Sequence, residues 1–146
     1  MVEASATTTV DAPVEAVFGY MDRPENQVEI TPSLTRSEPL DELPNGGKRV
    51  AYTYTMGGVD LDGEIEAVEY EPESRVRWEM TGDLTGEIMW TFESVDGGTR
   101  VTYATTYDLP VPVIDRLAEP FVERYNEREL RTTLENLRTR LETELT

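Results

Sequence analysis

The chain has 146 residues, of which 30 are acidic and 13 basic, so its net charge at neutral pH is −17. Cysteine and histidine are absent, which excludes a disulfide framework, thiolate chemistry, a histidine base and a histidine metal ligand. The acidic surplus argues against nucleic-acid binding, which needs a basic patch. With no apolar run near the roughly 20 residues of a transmembrane helix and no signal-peptide pattern, we expect one cytoplasmic domain over residues 1–146.

The acidic residues are scattered through every segment, and Lys48 is the only lysine. Such a dispersed acidic coat is typical of proteins from a salt-rich cytoplasm, where about 1 M salt shortens the screening length to ~3 Å and mutes self-repulsion. The alternative is an ordinary solvated surface. We interpret the pattern as halophilic adaptation.

The N-terminal segment predicts one strand followed by two short helices. Residues Val2–Val10 alternate weakly and contain β-branched threonines, as strands do. Asp11 and Pro13 are typical of a helix start, and a second short helix is predicted over Glu25–Ile30. The first helix has one apolar face, made of Val14, Val17, Phe18 and Met21.

The middle of the chain predicts six more strands, separated by turns rich in glycine, proline, asparagine and aspartate. They cover about Leu34–Leu40, Arg49–Met56, Val59–Tyr70, Arg75–Thr81, Leu84–Val95 and Arg100–Leu109. Short connections imply antiparallel neighbours. Large apolar side chains alternate with polar ones, which gives the sheet one apolar, aromatic face that needs a partner.

The tail over about Val113–Glu144 predicts one long helix, or a short turn followed by a long helix. Pro120 fits a first turn, so a break near Glu119 is expected. The helix carries an apolar stripe, made of Val122, Asn126, Leu130, Leu134, Leu137 and Leu141. The stripe suits either a coiled-coil dimer or packing on the sheet, and we favour the sheet because it lies in the same chain.

A helix laid across a curved sheet can leave a hollow, so we predict a ligand pocket rather than a solid core. Turns of a meander alternate between the two ends of the sheet, which brings Gly57-Gly58, Gly82–Gly86 and the Leu109–Pro112 crossing to one end. We expect the mouth of the pocket there. The alternative is that these glycines are needed only for the backbone geometry of their turns.

Ligand-binding candidates are the aromatic, methionine and amide side chains on the apolar faces. A buried hydroxyl or amide needs a hydrogen-bond partner, which in a cavity can be a ligand carbonyl or hydroxyl, although backbone or water can serve instead. We expect no catalytic nucleophile, metal or cofactor; Asp60 and Asp62 do not match a calcium motif and suit a wet strand face. The candidates are Tyr52, Tyr54, Met56, Trp78, Met80, Trp90, Tyr103, Tyr107, Phe121, Tyr125 and Asn126.

Two segments resemble a known family. Val10–Phe18 (VDAPVEAVF) is similar to the opening strand-to-helix motif of the START-like, helix-grip superfamily, in its polyketide cyclase/dehydrase and lipid-transport branch, and Asp96–Tyr103 (DGGTRVTY) resembles that family's entry into the last strand. The resemblance implies an α+β helix-grip fold, in which a seven-stranded antiparallel curved sheet wraps around a long C-terminal helix and two short helices lie between strands 1 and 2. It also implies a cavity for lipids, sterols, polyketides, quinones or plant hormones. Where many relatives carry tryptophans, this chain has Gln27–Ile30.

These observations favour a module that binds or transports a small hydrophobic ligand such as a lipid, isoprenoid, quinone or polyketide-like molecule. A cyclase or dehydratase acting through tyrosines or carboxylates is the first alternative. A protein-interaction module is the second. We expect a monomer or weak homodimer.

Overall fold

A computed structural model of the chain describes residues 2–109 and 119–144. Elements that lie wholly within these ranges begin and end within two residues of their predicted bounds, whereas the predicted helical residues 113–118 and the crossing at 110–112 lie outside them. In chain order the elements are β1 (Val2–Val10), α1 (Val14–Met21), α2 (Pro24–Ile30), β2 (Leu34–Glu42), β3 (Lys48–Met56), β4 (Val59–Glu71), β5 (Arg75–Gly82), β6 (Thr85–Val95), β7 (Gly98–Asp108) and α3 (Glu119–Glu144).

The seven strands form one open antiparallel sheet in the order β1-β7-β6-β5-β4-β3-β2. Strands β2 to β7 make a meander, and β1 returns to pair with β7, from Val2 opposite Tyr107 to Val10 opposite Thr99. Register shifts interrupt β2 twice and β4 once, and such bulges bend a sheet. The α+β helix-grip prediction, with two short helices between the first two strands, is confirmed.

The predicted apolar face is the buried face of the sheet. Trp90 is 5% exposed, and its ring stacks on Tyr103 with 4.0 Å between ring centroids, while Glu79 and Glu87 on the opposite parity are exposed. Trp78 and Tyr54 are only partly buried. The alternation therefore assigns faces correctly, because successive side chains of a strand point to opposite sides.

Helix α3 covers this face with the predicted stripe, and all six stripe residues are buried. Its C-terminal half is fixed to both ends of the N-terminal helical segment: the Asp11 backbone N–H donates to the Glu142 carboxylate over 3.0 Å, and the Asn136 amide donates to the Ile30 carbonyl over 2.9 Å. On the other part of the face, Phe18 of α1 packs edge-on against Phe92. The stripe thus packs within its own chain.

The outer face of the sheet is polar and rich in ion pairs. Arg77 lies between Glu69 and Glu87, with nitrogen–oxygen distances of 3.0 and 2.6 Å. Asp60 and Asp62 accept hydrogen bonds from threonines of β3, and within residues 2–109 and 119–144 no three acidic side chains converge on a possible metal position. In the same residues, no helix combines the length and the apolarity needed to span a membrane.

Candidate functional site

In the described part of the chain, two adjoining cavities between the sheet and the helices contain most of the candidate residues. The first, here the α3 cavity, lies beneath Tyr125, Asn126, Glu129 and Leu130 of α3 and spans about 430 Å³, including space that is open to solvent. The second, here the α2 cavity, lies beneath Met21, Pro24 and Gln27 and spans about 520 Å³, again including space that is open to solvent. The sequence predicted a hollow under the C-terminal helix but no second one beside α2.

Ten of the eleven candidate residues line these cavities. Seven line the α3 cavity: Tyr54, Met56, Met80, Tyr103, Tyr107, Tyr125 and Asn126. Five line the α2 cavity: Tyr52, Tyr54, Trp78, Trp90 and Tyr103. Phe121 lines neither and is 57% exposed, because its position beside Val122 turns it away from the buried stripe.

Tyr54, Tyr103 and Ile88 line both cavities and form the wall between them. The side chains of Tyr54 and Tyr103 lie close to each other in this wall and interact electrostatically. Burial raises the pKa of both hydroxyls, and the negative charge of Glu129 raises both pKa values further. Both side chains are therefore neutral at physiological pH and act as hydrogen-bonding groups rather than as phenolate bases.

Tyr107 supplies a third hydroxyl to the α3 cavity. Its side chain is 5% exposed, and its hydroxyl has no hydrogen-bond partner within the described residues. Burial raises the pKa of Tyr107 above its usual value of 10. A neutral hydroxyl that lines a cavity and has no partner among the described residues can donate to a ligand atom at little cost to the protein.

Tyr52 differs because its hydroxyl is already occupied by the backbone. It donates to the Thr81 carbonyl and accepts from the Leu84 N–H, each over 3.3 Å. Burial raises the pKa of Tyr52 to about 12. The ring lies against Gly63, where an added Cβ would stand 2.6 Å from the hydroxyl oxygen, so only glycine leaves room for it. Tyr52 is a structural part of the α2 cavity wall.

Asn126 and Thr105 form a buried polar pair on the other side of the α3 cavity. The Asn126 amide nitrogen lies 3.0 Å from the Thr105 hydroxyl oxygen, to which it donates, and both side chains are buried. Sequence reasoning missed Thr105. The available signal was its position on β7 midway between Tyr103 and Tyr107, because side chains two residues apart on a strand point to the same face, here the buried one.

Glu129, Ser33 and Tyr125 close the α3 cavity toward the surface. The Glu129 carboxylate accepts the Ser33 backbone N–H over 2.7 Å, and the Ser33 and Tyr125 hydroxyls are hydrogen-bonded to each other. The same three residues line an open surface depression of about 960 Å³, here the outer groove, together with Pro32, Thr35, Thr55, Arg128 and Thr132. They therefore separate the cavity from the groove.

Sequence reasoning missed Glu129 and Ser33. Glu129 follows Tyr125 and Asn126 at helical spacings of four and three, which places it on the same side of α3 as the stripe. Its charge suggested the solvent face instead. Ser33 lies between α2 and β2, where no periodic pattern reports burial, so it gave no signal.

The predicted position of the mouth is matched in part by the described residues. Leu84, from the turn between β5 and β6, lines the α3 cavity, and Thr55, two residues before Gly57, lines the outer groove. Gly57 and Gly58 are exposed and line neither space. Residues 110–112, the third part of the predicted mouth, lie outside the described residues.

Solved structures share this architecture at low sequence identity. TTHA0849 from Thermus thermophilus is 22% identical, with a TM-score of 0.83 over 99% of each chain. A START superfamily protein from Mycobacterium smegmatis is 15% identical, with a TM-score of 0.81 over 99% of each chain. The Zhui aromatase/cyclase from a Streptomyces species is 15% identical, with a TM-score of 0.78 over 99% of this chain and 95% of that one. At these identities the similarity shows the fold alone.

No curated protein sequence matches the chain. The family model described as polyketide cyclase / dehydrase and lipid transport matches residues 1–142, which is nearly the whole chain. The match agrees with the resemblance carried by Val10–Phe18 and Asp96–Tyr103. The chain belongs to the polyketide cyclase/dehydrase and lipid transport family.

Proposed function

We propose that this protein binds or transports a small hydrophobic molecule that occupies the α3 cavity and presents a carbonyl or hydroxyl group to its tyrosines. The observation that carries the proposal is Tyr107, whose buried side chain lines an apolar cavity and whose hydroxyl forms no hydrogen bond in the part of the chain that the structure describes. Membership of a family that includes lipid-transport proteins supports the same function.

The cavity lining suits such a molecule physically. Met56, Met80, Leu84, Ile88 and Leu130 give apolar contact, and methionines adapt to ligands of different outline. Each buried Å² of apolar surface contributes about 25 cal/mol. The tyrosine hydroxyls add orientation, as is usual in pockets that combine an apolar lining with a few polar groups.

The direct test is native mass spectrometry of the protein purified from its own organism, followed by titration with a panel of lipids, quinones and aromatic ketones. Both tryptophans of the chain, Trp78 and Trp90, line the α2 cavity, and Trp90 stacks on the shared wall residue Tyr103. Tryptophan fluorescence should therefore change on binding. Absence of any bound apolar molecule, together with a flat fluorescence titration across the panel, contradicts the proposal.

A cyclase or dehydratase is the second candidate, and the observation that favours it is the Glu129 carboxylate beside the tyrosine hydroxyls. A carboxylate can accept a proton while a neutral tyrosine polarises a carbonyl. For an enzyme, Tyr54→Phe should abolish turnover of a cyclising substrate and leave its Kd nearly unchanged. Equal losses of turnover and binding assign Tyr54 to binding alone.

The protein-interaction module stays an alternative prediction. The cytoplasmic location and the monomer or weak homodimer stay predictions. Size-exclusion chromatography with light scattering, over a range of protein concentrations, tests the oligomeric state.

A further inference from the structure

The charges that line the two cavities are unusually one-sided. Among the described residues, neither lining contains an arginine or a lysine, and the single charged side chain is Glu129. Every other polar side-chain group there is a neutral hydroxyl, amide or indole N–H. A ligand that enters therefore meets neutral hydrogen-bonding groups and one negative charge.

Glu129 is held at this position by the backbone. The 2.7 Å hydrogen bond from the Ser33 N–H fixes its carboxylate between the α3 cavity and the outer groove. Its negative charge acts on the hydroxyls of Tyr54, Tyr103 and Tyr107, whose pKa values it raises in addition to the effect of burial. The same field opposes any second negative charge placed among those hydroxyls.

We propose that the α3 cavity selects uncharged ligands that bear a carbonyl or hydroxyl group, and that Glu129 excludes carboxylate ligands. This inference rests on the proposed function. Burying an ionised carboxylate without a countercharge is costly, and a like charge nearby adds to that cost. An uncharged ketone, quinone or phenol escapes both penalties and still accepts hydrogen bonds from Tyr107. Free fatty acids and other organic acids are the excluded class.

Arg128 gives an anionic ligand one alternative binding position. It lines the outer groove, beyond the contact between Ser33 and Tyr125, and lines neither cavity. An acid held at Arg128 would keep its charge in solvent and enter the α3 cavity only with its apolar part. The test must therefore include this residue.

The experiment compares methyl naphthyl ketone with naphthoate, two ligands of nearly equal size in which a methyl group replaces a charged oxygen. Isothermal titration calorimetry near neutral pH measures both affinities for the full chain. We expect the ketone to bind at least ~10-fold more tightly than the acid, a ratio equal to about 1.4 kcal/mol. In Glu129→Gln, which keeps an acceptor for the Ser33 N–H, naphthoate should gain ~10-fold while the ketone changes by less than ~2-fold.

Glu127→Gln is the matched control because it removes the same charge from an exposed position of the same helix, two residues away and outside both cavities. Its ketone-to-acid ratio should equal that of the parent. Thermal melts verify that both variants fold.

The outcomes distinguish a failure of charge selection by Glu129 from a failure of the proposed ligand-binding function. Equal binding of ketone and acid by the parent protein overturns charge selection and leaves ligand binding in place. Tight naphthoate binding that is lost in Arg128→Gln also overturns it and assigns the acid to the outer groove. An equal gain of acid binding in Glu129→Gln and Glu127→Gln assigns the effect to net charge and overturns the role of Glu129. If neither compound nor any other member of the ligand panel binds, the proposed function fails and the selection fails with it.

Discussion

Tyr52 and Tyr107 lie on the same face of the sheet, yet their hydroxyls have different surroundings. The backbone at Thr81 and Leu84 occupies the Tyr52 hydroxyl, whereas the Tyr107 hydroxyl faces the α3 cavity without a partner in the described parts of the chain. Replacing each tyrosine by phenylalanine therefore distinguishes a structural role, at Tyr52, from a ligand-binding role, at Tyr107.

We expect Tyr107→Phe to weaken binding of methyl naphthyl ketone about fivefold, which corresponds to one hydrogen bond of about 1 kcal/mol. Its free energy of unfolding should stay the same or rise, because no hydrogen bond within the described residues is lost. Tyr52→Phe should instead lower the free energy of unfolding by about 1 kcal/mol, since two backbone contacts are lost. Calorimetry and urea unfolding measure both quantities, and a Tyr107→Phe protein that is less stable than Tyr52→Phe contradicts the assignment.

The buried tyrosines also predict how stability responds to alkali. Burial raises the pKa of Tyr52, Tyr54, Tyr103 and Tyr107 above the unfolded value of 10, and burial together with Asp22 raises that of Tyr70. A raised folded-state pKa means that the folded protein holds protons that the unfolded chain releases above pH 10. The stabilisation is therefore complete below pH 10 and is lost as the pH rises toward and beyond 12.

We expect the free energy of unfolding to fall between about pH 10 and pH 12, by up to ~1.4 kcal/mol per pH unit for each such tyrosine. Ultraviolet absorbance should show most tyrosinate appearing together with unfolding. Smooth titration of all seven tyrosines near pH 10 in the folded protein would count against the burial of these hydroxyls.

At the residue level, the sequence predicts which side chains are buried better than which ones do chemistry. Alternation placed Tyr103 and Tyr107 in the cavity lining because a strand has a fixed period. Glu129 went unrecognised because the long α3 helix presents charged residues on most of its faces, and only the path of the loop at Ser33 brings a backbone N–H to that particular carboxylate.

At the level of elements, the contact between α3 and the connection from α2 to β2 controls the path between the α3 cavity and the outer groove. Tyr125 and Glu129 on the helix each bond to Ser33 on the connection. A ligand that moves from the groove to the cavity must separate these groups. Exchange of ligand should therefore depend on the strength of this contact.

We expect Ser33→Ala to raise koff about fivefold, because it removes the hydroxyl bonded to Tyr125 while the backbone bond to Glu129 is kept. Stopped-flow tryptophan fluorescence with methyl naphthyl ketone measures the rate. Ser94→Ala, an exposed position on β6, is the control and should leave koff unchanged. An unchanged koff in Ser33→Ala places the route of exchange elsewhere.

The fold is more predictable than the cavities because it depends on many redundant signals. Each strand is bounded by glycine-rich or proline-rich turns and carries its own alternation, so that one ambiguous residue changes a boundary and not the topology. The volume under α3 depends instead on the angle of one helix and on the rotamers of side chains such as Tyr54. The second cavity depends on where α2 places Met21 and Gln27, which no period encodes.

At the scale of the whole molecule, the charge of −17 is spread over 7641 Å² of accessible surface. Arginines on the outer face are largely paired with acids, as Arg77 is with Glu69 and Glu87. Acids also face each other across neighbouring strands: Glu79 stands opposite Glu66 on one side and Glu87 on the other. Directly opposed like charges destabilise a sheet, and salt relieves them.

We therefore expect the protein to lose stability when salt is diluted from about 1 M to about 0.01 M, as the screening length grows from ~3 Å to ~30 Å. The Tm should fall by at least ~5 °C, measured by circular dichroism. Glu79→Gln should reduce that fall because it removes the central charge of the row. A Tm that is independent of salt contradicts halophilic adaptation.

The wall between the two cavities has a consequence for molecules of different length. One phenol pair, Tyr54 with Tyr103, forms the partition together with Ile88. A short guest fits one compartment and leaves the pair intact, whereas a longer homologue can extend into the other compartment only after the two rings part. Affinity along a homologous series should thus change in a step, at the carbon number where the guest first reaches the partition, and not by an even increment for each added methylene.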